Sequence, residues 1–353
     1  MASQAATLTS APSGSATLSV PGARTSGWIV SPWFDILFFV NVFWLLAFLP
    51  AYVSAEGVPH VEFWQVHFIA SPHRWITLFL IALDPDRRGS RAWLFVLIAV
   101  GLAAVLGGVQ LATGGLAALG VSYYAWNSWH FAAQHSGIVR MYSRKAGGGR
   151  RWLETYGLRT FILYAGIRLI PGFDRLLGLM LLDVQLVDWA VLVIPAYMIA
   201  VELTGRPTHR APKLLYLTSV CLLYTSIIMA AHTQQRMLIL ALVAATTIFH
   251  SVEYFAFLTH YARRRQTHGS PGMFQKMARH WVMLLAWFLV SCGIVFSTAD
   301  RMYFTLWYAV NLWASFLHFA YDGLIWKFRV KETAKVLDID LPSAGAASAV
   351  ADT

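Results

Sequence analysis

Ten stretches of mostly apolar residues follow one another along this chain, at approximately 33–53, 62–83, 92–111, 116–139, 155–171, 186–203, 214–231, 237–261, 281–298 and 303–326. Each is close to the roughly 20 residues that an α-helix needs to cross a bilayer. A backbone in hydrocarbon must satisfy its own hydrogen bonds, so the pattern predicts an all-α, polytopic bundle of about ten transmembrane helices. Turn-forming clusters punctuate it: Glu56-Gly57, Asp84-Pro85-Asp86, Gly114-Gly115, the glycines 147–149, Pro171-Gly172, Gly205-Arg206-Pro207 and Gly269-Ser270-Pro271-Gly272. Residues 173–184 are apolar but too short to span, and are expected along the interface. With 58% hydrophobic and 12% charged residues, the chain also lacks the polar surface of a soluble globule.

The net charge of +10 is read first as topology. Every loop after an even-numbered span is basic: Arg87, Arg88 and Arg91; then Arg140, Arg144, Lys145, Arg150 and Arg151; then Arg206, Arg210 and Lys213; then Arg263, Arg264, Arg265, Lys276 and Arg279; finally Lys327, Arg329, Lys331 and Lys335. Loops after odd-numbered spans hold only Arg168, Arg175, Arg236 and Arg301. The positive-inside rule then puts both termini in the cytoplasm, in a bacterial inner membrane. The domain reading is a disordered cytoplasmic tail over 1–27, one transmembrane domain over 28–330 and a cytoplasmic tail over 331–353. The first tail, rich in Ser, Ala, Thr and Gly with Arg24 alone basic, resembles neither a signal nor a transit peptide. No aromatic-interleaved basic stripe points to nucleic acid. Cys221 and Cys292 sit in apolar runs, as small hydrophobes do.

Ionisable side chains inside a span cost on the order of 2.5–3.5 kcal/mol even on lenient scales, so those present are functional candidates. Span two carries His67, His73 and Arg74, with Ser71-Pro72 expected to interrupt the helix; span four carries Asn127, His130, Gln134 and His135; span eight has His250, Glu253, Tyr254 and His260; span ten has Asn311, Ser315, His318 and Asp322. Asn311, Ser315, His318 and Asp322 form one stripe, and Asn127, His130 and Gln134 another. His135 points about 140° away from His130. Counted inward from the basic ends, His73, His130, His250, Glu253 and His318 share one layer about 13 to 20 Å deep. His135, Asp322 and His260 form a shallower layer, like steps toward water.

Four histidines and a carboxylate at one depth match the ligand set of a non-haem iron, or a pair of irons. The expected ligands are His73, His130, His250, Glu253 and His318. Asn127, Gln134, Asn311 and Ser315 would orient them or bind substrate, and Glu253, Tyr254 and Asp322 would serve catalysis. The plainer reading of each histidine is a polar residue bonding a neighbouring helix. Aromatic residues flanking the stripes, among them Tyr123, Trp126 and Phe316, suit either an apolar pocket or packing. No histidine boxes of the membrane desaturases, HExxH site, Walker loop or CxxCH haem attachment is present. The arrangement is similar in kind to histidine-ligated membrane oxygenases that cleave carotenoids, in which single histidines from separate helices hold iron; their local motifs are not matched, and no residue is carried over.

The expected function is a membrane-bound, metal-dependent oxidoreductase acting on a lipid or isoprenoid that enters from the bilayer, served by a redox partner. The alternatives are a haem b electron-transfer protein, with Arg74, Arg159 or Arg168 pairing with propionates, a proton-coupled transporter using the same polar layer, and an assembly factor.

Overall fold

The computed structural model describes residues 27–47, 65–89, 91–204, 210–267 and 271–326. Apart from Gly27, the expected tails lie outside the described residues. So do residues 48–53 of the first span and 62–64 of the second, the Glu56-Gly57 and Gly205-Arg206-Pro207 breakers, Gly269-Ser270, and Arg24, Lys327, Arg329, Lys331 and Lys335.

Among the described residues all regular structure is helical. The long helices are α1 Gln65–Leu83, α2 Ala92–Thr113, α3 Gly120–Lys145, α4 Leu158–Ile167, α5 Val184–Leu203, α6 Ala211–His232, α7 Arg236–Arg265 and α8 Trp281–Ile325. Six of them, α1, α2, α5, α6, α7 and α8, are long and apolar enough to cross a membrane. Although α3 has comparable length, the stripe Asn127, His130 and Gln134 makes it too polar for that group. Outward faces are apolar, as contact with lipid requires: on α2, Trp93, Leu97 and Val100 are 65%, 58% and 61% exposed.

Three expectations change. The expected break at Ser71-Pro72 is instead a change of winding, from a π-helical stretch Gln65–Ala70 to an α-helix from Ser71. Proline has no N–H to give, so the bonding pattern switches where a bond is lost in any case. The first span is not one helix over its described residues, 33–47: a π turn Asp35–Val40 ends at Asn41, whose φ of 46° is left-handed, before a 3-10 turn Val42–Ala47. Buried Asp35 fixes that entry by accepting from the backbone N–H of Ile29 (2.7 Å) and from the Tyr142 hydroxyl (3.0 Å). Spans nine and ten are continuous in α8, whose 45 residues rise about 67 Å, twice a bilayer core of about 30 Å. A kink at Tyr303 (φ −143°, ψ 51°) divides it into 281–302 and 304–325, so the expected loop shrinks to one residue. The apolar stretch after Pro171 forms the short helix Phe173–Leu179.

Packing is centred on α7, which meets α1, α6 and α8; α3 packs on α4, α6 and α8, and α2 on α8. Two buried ionic clusters pin helix ends beside the basic loops. Lys213 Nζ donates to Glu154 (2.6 Å) and Glu202 (2.5 Å), while Glu154 also accepts from Arg140. Asp84 holds Arg265 Nη2 at 2.8 Å and the Tyr261 hydroxyl at 2.5 Å. At the opposite ends, Asp188 gathers Tyr164, Arg168 and His232. Such pairs are what keeps charge tolerable at low dielectric.

Candidate metal centre

Four helices converge on one point and each delivers one histidine: His73 from α1, His130 from α3, His250 from α7 and His318 from α8. Ring centroids are 5.1 Å apart for His73–His250, 4.8 Å for His73–His318, 4.9 Å for His130–His250 and 4.7 Å for His130–His318. All four residues are buried. Donor atoms of His73, His250 and His318 lie within 4.8 Å of one another, and so do those of His130, His318 and Asp322. Four imidazoles bound to one metal at about 2.0–2.1 Å put neighbouring centroids roughly 4.5 Å apart in a square and roughly 5.2 Å in a tetrahedron. The four separations fall in that window, while His250 and His318 lie 6.3 Å apart across the group, as opposite corners of a square would.

The hydrogen bonds orient these rings as ligands need to be oriented. His73 Nδ1 lies 2.6 Å from the Ala70 carbonyl, which only accepts, so Nδ1 carries the proton and Nε2 keeps its lone pair. Ser251 Oγ lies 3.1 Å from the same nitrogen. His318 Nδ1 lies 2.8 Å from Thr77 Oγ1, and that hydroxyl also reaches Tyr254 (2.5 Å) and Asp322 Oδ1 (3.2 Å). His250 stacks on Phe131 with centroids 4.2 Å apart. Nε2 of all four histidines, and Nδ1 of His250 as well, have no hydrogen-bond partner among the described residues. Each such buried orphan costs about 1–3 kcal/mol.

The chain matches no family model, no curated protein and no solved structure. The chemistry of the site therefore rests on its own geometry.

Of the five expected ligands, the structure brings together the four histidines and leaves Glu253 outside the cluster. Its Oε2 accepts from Gln134 Nε2 (2.9 Å) and lies 3.1 Å from His135 Nδ1, which in turn meets the Tyr216 hydroxyl at 2.9 Å. Gln134 also donates to the His250 carbonyl (3.0 Å), fastening this second polar cluster beneath the first. Glu253 shares the depth of the ligands, but its rotation about α7 turns it toward α3 and α6. His135 points away from His130 as expected, yet it is wholly buried and is not a step toward water. Asp322, expected in the shallower layer, reaches the cluster: Oδ2 lies 3.7 Å from His318 Nε2 and 3.9 Å from His130 Nε2. Tyr254 donates to Asp322 Oδ1 at 2.8 Å.

Asn311 accepts from Trp75 Nε1 (3.4 Å) and donates to the Trp307 carbonyl, while Ser315 donates to the Asn311 carbonyl; neither is among the converging donors. Asn127 lines a cavity of about 40 Å³ shared with Ser128, Phe131, Tyr224 and Thr246. At about 10–15 Å³ per water, that holds roughly three waters and no lipid chain. His260 is buried near the basic end of α7. Sequence reasoning missed Thr77, Ser251 and Phe131. Thr77 was within reach, because it lies one turn after His73 on the same face of α1.

Proposed function

We propose that this chain is an integral-membrane, metal-dependent oxidoreductase whose non-haem iron is held by His73, His130, His250 and His318, with Asp322 as the adjoining carboxylate. The observation that carries the reading is four buried histidines from four helices with neighbouring rings, whose Nε2 atoms have no hydrogen-bond partner among the described residues. Residues serving only to glue helices together would spend those nitrogens on neighbours. Imidazole and carboxylate donors suit iron, which when bound supplies one-electron and dioxygen chemistry. The chain's own part is to hold the rings through Ala70, Ser251 and Thr77, to keep water out, and to hold a proton on the Thr77–Tyr254–Asp322 hydroxyl and carboxylate group. Haem b fits less well. The pair with a separation close to that of two axial imidazoles is His250–His318 at 6.3 Å, and His73 and His130 crowd the space a porphyrin would need.

The reading includes ten spans with both termini in the cytoplasm of a bacterial inner membrane, a redox partner, and a lipid or isoprenoid substrate arriving from the bilayer. Supporting the orientation, the two buried ionic clusters and the basic loops share one set of helix ends.

Purified protein in detergent tests the core of it. The expected result is about one iron per chain and no Soret band. A folded, active protein without metal overturns the proposal, and a Soret band selects haem.

A further inference from the structure

Arg74 follows His73 directly, yet is not one of the converging donors. It lies about 15 Å along α1 from Asp84, deep within the span. Its hydrogen-bond partner is the Tyr123 hydroxyl, 3.1 Å from Nη2, and among the described residues no carboxylate pairs with it. Several other arginines that enter the bundle do meet one: Arg265 has Asp84, Arg168 has Asp188 and Arg140 has Glu154, whereas Arg159 meets the Ser136 hydroxyl and the Trp129 ring. A guanidinium offers five N–H donors, and an unneutralised charge at this depth carries the highest cost of any side chain in the span. The surroundings are aromatic. Tyr123 lies 6.0 Å from Phe316 and 5.9 Å from Phe319, Trp126 lies 5.7 Å and 5.8 Å from the same two rings, and Phe319 is 5.0 Å from His130. Trp126 is 36% exposed, so this wall runs from the bundle surface to the histidine centre.

We infer that Arg74 and Tyr123 bind the carboxylate of an apolar, chain-like acid whose hydrocarbon lies along Tyr123, Trp126, Phe316 and Phe319 and ends over His130. A carboxylate takes the guanidinium fork in two parallel hydrogen bonds and cancels its charge where no protein acid does. Phospholipid phosphates carry similar chemistry, but they reside outside the hydrocarbon core, too far from Arg74 to serve. Naming this acid as the substrate rests on the metal reading above; the binding site itself does not.

The test uses the full chain in nanodiscs of zwitterionic lipid, with a fluorescent polyene fatty acid and its methyl ester as probes, read by energy transfer from tryptophan. The acid is expected to bind on the order of tenfold to a hundredfold more tightly than the ester, the range of one charged hydrogen-bonded contact. Arg74→Gln should abolish that preference without weakening the ester, and Arg74→Lys should restore part of it. Equal binding of acid and ester to the unaltered protein overturns the proposal, and so does an acid preference that survives Arg74→Gln. Loss of the preference on adding anionic phospholipid to the discs assigns the site to lipid headgroups and also overturns it. Iron is measured on the same samples: protein that lacks iron but still distinguishes acid from ester retires the metal reading and keeps this site.

Discussion

Replacing Thr77 by valine changes the centre without touching a ligand. Valine keeps the shape and the β-branch, so packing between α1 and α8 is preserved and the loss is confined to one hydroxyl. That hydroxyl contacts His318 Nδ1 at 2.8 Å, the Tyr254 hydroxyl at 2.5 Å and Asp322 Oδ1 at 3.2 Å. Tyr254 keeps its own bond to Asp322 at 2.8 Å, so the group stranded by the change is His318 Nδ1–H. A buried donor left without an acceptor costs about 1–3 kcal/mol. The imidazole is then free to rotate or to change tautomer, and either takes the Nε2 lone pair off the meeting point. Loss of such outer partners typically lowers metal affinity 10- to 100-fold. The assay is competition for iron against a chelator of known affinity, with Thr77→Ser as the control that restores the hydroxyl. Thr77→Val with an affinity within about threefold of the unaltered protein would refute the reasoning that Thr77 orients a ligand.

Further predictions separate the two polar clusters and test the fold. His250→Ala should remove most bound metal, whereas Glu253→Gln and His135→Ala should keep it, because Glu253 Oε2 and His135 Nδ1 are turned to each other, Gln134 and Tyr216 and neither side chain is among the converging donors; metal analysis of the three variants checks this, and retention in His250→Ala would sink the ligand assignment. Asp322→Asn removes the carboxylate charge beside His130 and His318 and should weaken metal binding at least as much as Thr77→Val, read by the same chelator competition. Lys213→Met strips the cation from between Glu154 and Glu202 and should destabilise the protein by about 3 kcal/mol, visible as a lower Tm in detergent.

The all-helical architecture was legible because a spanning helix must be both long and apolar, and that signature survives in single segments such as Ala92–Thr113 and Ala211–His232. Depth was legible for the same reason: residues count off at 1.5 Å each from a basic end, which was enough to bring out His73, His130, His250 and His318 as a layer. Rotation and winding were not. A π-helical stretch ahead of His73, a left-handed Asn41 and a kink at Tyr303 shift the azimuth of everything that follows, and a periodicity of 3.6 does not foresee them.

The sequence by itself therefore determined that the chain is helical and apolar, and which ionisable groups stay in the spans, because burial of charge is penalised locally, residue by residue. Tertiary structure alone decided which of those groups face one another. Glu253 shares the ligands' depth but is held by Gln134 and His135, while Asp322, one turn removed, comes to lie beside two histidines. Partnership of that kind depends on the packing of α1, α3, α7 and α8 around a common axis, and no single helix carries it.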